Sequence, residues 1–108
     1  VRRGELWTAA GGKNYAGKPR PVLIVQDDRF DATDSVTICP VTSDPTAIPL
    51  LRIHLDARSS TELTRPSSIM VDKLTTMPRS KLGKHIGQVS DTDLLALSRA
   101  LVVFLGLA

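Results

Sequence analysis

As far as Ser90 the apolar residues come in runs of strand length, cut off by Pro, Gly and Asp; only after it do leucines recur at helical spacing. That contrast limits the chain to a mostly-β architecture with one terminal helix. Glu5–Ala10 reads as a first strand, with Leu6 inward and Trp7 facing the other way. Pro21–Gln26 is continuously apolar, as expected of a strand covered on both faces. Ser35–Thr42 is rich in β-branched residues, Leu50–Leu55 alternates, and Ser68–Thr76 and His85–Val89 complete the set. The connectors are the glycine-rich stretch 11–17, the acidic loop 27–34, a turn over 43–49, the polar loop 59–65 and a turn led by Pro78.

The terminal segment is marked as a helix by its ends as well as by its period. Ser90 stands where an N-cap belongs, with an acid three residues on at Asp93, and Asp91 and Asp93 suit the positive end of the helix dipole. Leu94, Leu97, Leu101 and Leu105 share one face, and Gly106 can close the helix. The apolar residues of its last turns, 101–105, wrap most of the circumference. Such a helix is deeply buried or covered by a partner. The expected architecture is a small barrel of five to seven short strands with a docked helix.

At 108 residues there is room for one core, so a single domain over 1–108 is expected. The net charge of +3 is unevenly spread: residues 1–20 and 61–90 are basic, residues 21–60 acidic. If the two basic blocks fold together they form the electrostatic footprint of a nucleic-acid binder, though a solvated charged surface fits the same count. With one cysteine, Cys39, there is no intramolecular disulfide framework. Arg2 and Arg3 are not followed by an apolar run, and no stretch approaches bilayer length, so a cytoplasmic protein is expected.

Chemistry-bearing residues are few. Lys18-Pro19-Arg20-Pro21 leads straight into the apolar strand. Pro21 drives Arg20 to an extended conformation and Pro19 restricts its approach, so Arg20 is held firmly at a strand start. A pre-positioned guanidinium fork matches phosphate oxygens, although a plain surface arginine could occupy the same place. Thr42-Ser43-Asp44-Pro45 ends another strand with two hydroxyls and a turn, which is either a phosphate-binding corner or an ordinary capped turn. Asp72-Lys73 is either a cleft-lining pair or a solvent-facing one. His54 and His85 each stand alone, the acidic loop 27–34 lacks the pattern of a calcium site, and no metal or other cofactor is expected. Aromatic residues make up 4%, so base-stacking platforms are few and Tyr15 is the best candidate.

Taken in order, Arg3-Gly4-Glu5-Leu6-Trp7, the run from Gly17 to Gln26, Cys39-Pro40-Val41-Thr42-Ser43, the run from Ser68 to Thr76, Ile86-Gly87 and the ending Leu105-Gly106-Leu107 resemble the MazF/PemK family of toxin endoribonucleases. The resemblance implies a small SH3-like β-barrel with a C-terminal helix, acting as a homodimer. It implies metal-independent, sequence-selective cleavage of single-stranded RNA, and a cognate antitoxin whose extended tail fills the RNA groove. Carried over by position, Arg20 and Thr42 are the expected catalytic pair and Asp72 a groove acid and candidate base. Lys13, Tyr15, Lys18, Ser43, Ser67 and Lys73 are the expected RNA contacts. Two departures stand out: Thr61-Glu62-Leu63-Thr64 lacks a Gly-Leu pair frequent in the family, and Met70 stands where some members have a second arginine. Three rival readings are a gyrase poison similar to CcdB, a non-catalytic RNA- or peptide-binding barrel, and a histidine nuclease for which His54 or His85 would be essential. The first is disfavoured because this chain ends Gly106-Leu107-Ala108, without the terminal Trp-Gly-Ile of that family.

Overall fold

The computed structural model describes residues 1–10, 19–46, 48, 50–55 and 63–107. Among them are seven strands and one long helix: β1 (Glu5–Ala9), β2 (Arg20–Ile24), β3 (Ser35–Thr42), β4 (Arg52–Leu55), β5 (Ser67–Met70), β6 (Thr75–Pro78), β7 (Leu82–Gln88) and α1 (Asp91–Phe104). The strands run antiparallel in the order β4-β5-β3-β2-β1-β7, with β6 added against β3.

Side chains alternate across this curved sheet and build two cores. Leu6, Leu23, Cys39, Val41, Leu55, Ile69 and Leu97 fill one; Ala9, Val22, Ile24, Val36 and Ile38 fill the other. The unbroken apolar run of β2 is explained by its position, since Leu23 points into the first core and Val22 and Ile24 into the second. Leu6 and Trp7 divide the same way, with Trp7 packing against the second core.

The expected single strand over Ser68–Thr76 is broken. Val71–Lys73 forms a single helical turn between β5 and β6. The cause lies in β3, which pairs with both strands in different registers. Continuing the β3–β5 ladder from Val41↔Ile69 would set Ile38 opposite Asp72, yet its partner is Thr75, three residues on. The turn takes up those residues. The last strand is longer than expected, beginning at Leu82 instead of His85. Gly83 permits this close approach: a Cβ there would meet Thr8 Oγ1 at 2.7 Å, and that hydroxyl accepts the Lys84 N–H at 2.8 Å.

Helix α1 is capped as its sequence dictates. Ser90 Oγ accepts the Asp93 N–H at 3.1 Å. Gly106, at φ 72°, closes the other end: its N–H reaches the Val103 carbonyl, and the Leu107 N–H reaches Val102. Leu97 is fully buried and Leu94 and Leu101 pack beside it. The rest of the helix surface is not covered: Leu95, Val102, Val103 and Phe104 are exposed, and so, just past its last turn, are Leu105, expected on the inner face, and Leu107. No helix among the described residues is long and apolar enough to cross a membrane.

Candidate active site

A cleft of about 410 Å³ opens at one end of the sheet, lined by Arg20, Thr42, Ser43, Thr64, Arg65 and Ser67 with apolar neighbours that include Pro21, Pro40 and Met70. Strand pairing explains why these residues meet. In the β2–β3 ladder Val22 faces Pro40, and two residues further the same register carries Arg20 to the level of Thr42. Arg20 opens β2 and Thr42 closes β3, so both lie where the ladder gives way to loops. On the other side Thr42 pairs with Ser68, which brings the start of β5 and the bend before it to the third wall. Each basic block of the sequence supplies one residue to this cleft, Arg20 from the first and Arg65 from the second.

The hydroxyls are not equivalent. Thr42 Oγ1 accepts the Asp44 N–H at 3.1 Å, which fixes the oxygen and leaves its own hydrogen to donate. Asp44 is in turn held by Thr46, through its N–H at 2.9 Å and its hydroxyl at 2.7 Å. These bonds, the backbone one foremost, keep the Asp44 carboxyl below its ordinary pKa of 3.8. Ser67 is 7% exposed, and its hydroxyl donates to the Arg65 carbonyl at 3.1 Å, so it shapes the bend at Arg65.

The remaining expected site residues fall elsewhere. Asp72 does not line the cleft; it sits on the helical turn with its carboxylate paired to Arg52 of β4, both side chains largely shielded. Lys73 is exposed on the same turn and also stands outside the lining. Lys13, Tyr15 and Lys18 lie outside the described residues. Neither histidine lines the cleft. His85 stacks on Trp7 with ring centroids 5.4 Å apart, and its Nε2 is 2.9 Å from the Gly87 carbonyl oxygen. Among the described residues no three His, Cys, Asp or Glu side chains converge as metal ligands. Arg65 and Thr64 were not expected, because they lie in a stretch that reads as polar loop. The available signal was Arg65-Pro66, which repeats Arg20-Pro21 at the entry to a second strand.

The PemK-like, MazF-like toxins of type II toxin–antitoxin systems match this sequence over residues 2–105. The chain belongs to that family. A probable endoribonuclease MazF of Mycolicibacterium smegmatis is 54% identical over 108 residues, covering all of this chain and 99% of the relative. Among solved structures, an endoribonuclease in complex with its cognate antitoxin from a mycobacterial species superposes with a TM-score of 0.82 at 25% identity, covering 100% of this chain and 97% of that one. A MazE–MazF structure from Deinococcus radiodurans shares the fold, with a TM-score of 0.78 at 18% identity over 100% and 98% of the two chains. The mostly-β fold with its C-terminal helix is therefore the MazF fold, and the cleft lies in a toxin of this family.

Proposed function

We propose that this MazF-like toxin is an endoribonuclease that cuts single-stranded RNA in the cleft between Arg20 and Thr42, with no metal in the step. The observation that carries the reading is the convergence of a proline-braced arginine and an oriented threonine hydroxyl at the open end of one ladder. The ribose 2′-OH attacks its own 3′ phosphorus and gives up its proton to solvent water, the bond to the 5′ oxygen breaks as Arg20 helps to protonate that oxygen (and regains its proton from water), and the products carry a 2′,3′-cyclic phosphate and a 5′-OH. Negative charge grows on the phosphoryl oxygens, and fixed donors aimed there lower the barrier. Arg20 supplies the positive charge and Thr42 the oriented O–H. Arginine does not serve as a base, since its pKa exceeds about 12. Asp72, paired with Arg52, holds the wall behind the cleft in this reading.

The resemblance to toxins solved with a cognate antitoxin supports a second occupant: an extended antitoxin tail that fills the same cleft and shuts out RNA. The uncovered apolar face of α1 supports a homodimer. A toxin acting on cellular RNA works in the cytoplasm.

The deciding experiment incubates the purified, antitoxin-free protein with a long single-stranded RNA in EDTA, beside Arg20→Ala and a double-stranded control. Discrete cuts with 5′-OH ends are expected, reduced about 10²–10³-fold in Arg20→Ala. Intact RNA from folded wild-type protein turns the reading to a binding barrel or a topoisomerase poison.

A further inference from the structure

We infer that Arg65 is the cleft's second phosphate-holding residue, gripping the RNA phosphodiester next to the one cut at Arg20 and Thr42. The inference rests on the endoribonuclease reading and adds a residue to it. Three observations carry it.

The first is placement: Arg65 lines the same cleft as Arg20, on the wall formed by the entry to β5. A cleft of about 410 Å³ is on the scale of a small-ligand site, so two cations on its walls bear on neighbouring groups of one strand. The second is bracing. Pro66 restricts the Arg65 backbone to extended conformations, and the nearly buried Ser67 hydroxyl ties down the Arg65 carbonyl. A bend fixed at both its backbone and its following strand displays the guanidinium with less entropy left to lose on binding. The third is that, Arg20 aside, the other described arginines are already engaged, apart from Arg99, which lies on α1 away from the cleft. Arg2, Arg29, Arg52 and Arg79 pair with Asp28, Asp27, Asp72 and Asp31, and Arg3 bonds the Val25 carbonyl and Ser98. No described carboxylate pairs with Arg65, which stays exposed at the cleft with its fork of donors unspent.

The alternative place for Arg65 is on the reacting phosphate itself, sharing the work of Arg20. The two differ in what is lost: a neighbouring-phosphate contact governs binding, whereas a contact to the reacting phosphate governs turnover.

The test uses full-length Arg65→Ala, Arg65→Lys and, as a control of equal charge loss away from the cleft, Lys84→Ala. Binding is measured on an oligonucleotide whose cleavage-site ribose is 2′-deoxy, so that it lacks the nucleophile, across a salt series. Turnover is measured on the matching RNA. Arg65→Ala is expected to weaken binding about tenfold, as for loss of one charge-assisted contact. It should lower the slope of log K against log salt by about 0.7, with kcat changed less than the binding constant. Arg65→Lys should keep the slope. A neutral methylphosphonate at the phosphate beside the cut should weaken wild-type binding but leave Arg65→Ala indifferent, a readout that a merely structural role does not move. Arg65→Ala matching Lys84→Ala in binding and slope, or losing kcat with binding intact, overturns the inference. Wild-type protein that fails to cut RNA overturns the endoribonuclease reading instead, so the two failures are distinct.

Discussion

Asp44 donates its backbone N–H to Thr42 Oγ1 at 3.1 Å, and so the hydroxyl at the end of β3 is aimed by the turn that follows it. A hydroxyl that accepts from its own turn has one hydrogen left, which in the proposed reaction donates to a phosphate oxygen. Thr42→Val keeps the shape and loses the donor; it should cut kcat about 10²-fold, as loss of an oxyanion-type donor does. Thr42→Ser should stay close to wild type. Single-turnover cleavage of a fixed RNA checks both. The support also has a defined pH range. The Asp44 carboxyl is held below its ordinary 3.8 by the Thr46 N–H and hydroxyl, so the turn is fully supported above 3.8 and is lost as pH falls through the lowered value.

Arg52 and Asp72 link β4 to the helical turn that lets the chain leave β5 and rejoin β3 as β6. Their side chains are 15% and 22% exposed, between the surface and buried limits for ion pairs. Asp72→Ala leaves Arg52 shielded without its partner, at a cost of about 1–3 kcal/mol in unfolding free energy. Removing a general acid–base group costs about 10²–10⁴-fold in rate. Asp72→Asn should cost far less than that per folded molecule, while Arg52→Ala and Asp72→Ala lower the denaturant midpoint alike. An Asp72→Asn protein of wild-type stability that no longer cuts would return Asp72 to the role of base.

Cys39 sits in the middle of β3 with no exposed surface. Burial, with the nearby Asp72 charge adding to it, pushes its thiol up to about 12 from an ordinary 9.0. A thiol that titrates higher in the folded protein stabilises the fold fully below 9.0, and that contribution is lost as pH rises toward about 12. Native protein at pH 8 should therefore resist a thiol-alkylating reagent, with modification appearing only on unfolding. Mass spectrometry of alkylated samples with and without denaturant reads this directly. A Cys39→Ser variant should be less stable at neutral pH, because it buries a hydroxyl in the apolar core.

The fold was legible wherever local chemistry decides structure. Ser35–Thr42 ends in the structure where its β-branched pattern ends, and Ser90 and Gly106 bound the helix as caps. It was illegible where a partner decides. Nothing between Met70 and Leu74 announces a break, because the break is imposed by two registers on β3. Leu82-Gly83-Lys84 carries no β-branched residue, and only the Thr8 hydroxyl lying over Gly83 shows why the strand starts there. In the cleft, Arg20 and Thr42 were visible from their Pro-bounded strand end and from the resemblance. Arg65 was not, because a polar loop reads as solvent-facing until its neighbours in space are known. Asp72 is expected in the groove by the resemblance, while its own sequence leaves the Asp72-Lys73 pair open; in the structure it sits on the helical turn against Arg52 and outside the cleft lining.

The outer face of α1 supplies the last prediction. Val103 is 61% exposed and Leu107 72%, with Phe104 and Leu105 beside them, all at the end of a helix whose inner face is already satisfied by Leu97. A contiguous apolar surface of this kind marks an interaction site. A closed pair of identical chains covers it most simply, the same patch meeting itself across a two-fold axis. Phe104→Glu should therefore leave the helix folded, because Phe104 is not part of the core, while shifting the sedimentation coefficient from that of a dimer to that of a monomer. Circular dichroism on the same sample separates loss of association from loss of helix. Wild-type protein that sediments as a monomer at micromolar concentration would instead assign this face to the antitoxin, and Phe104→Glu would then weaken antitoxin binding without altering the sedimentation of the toxin alone.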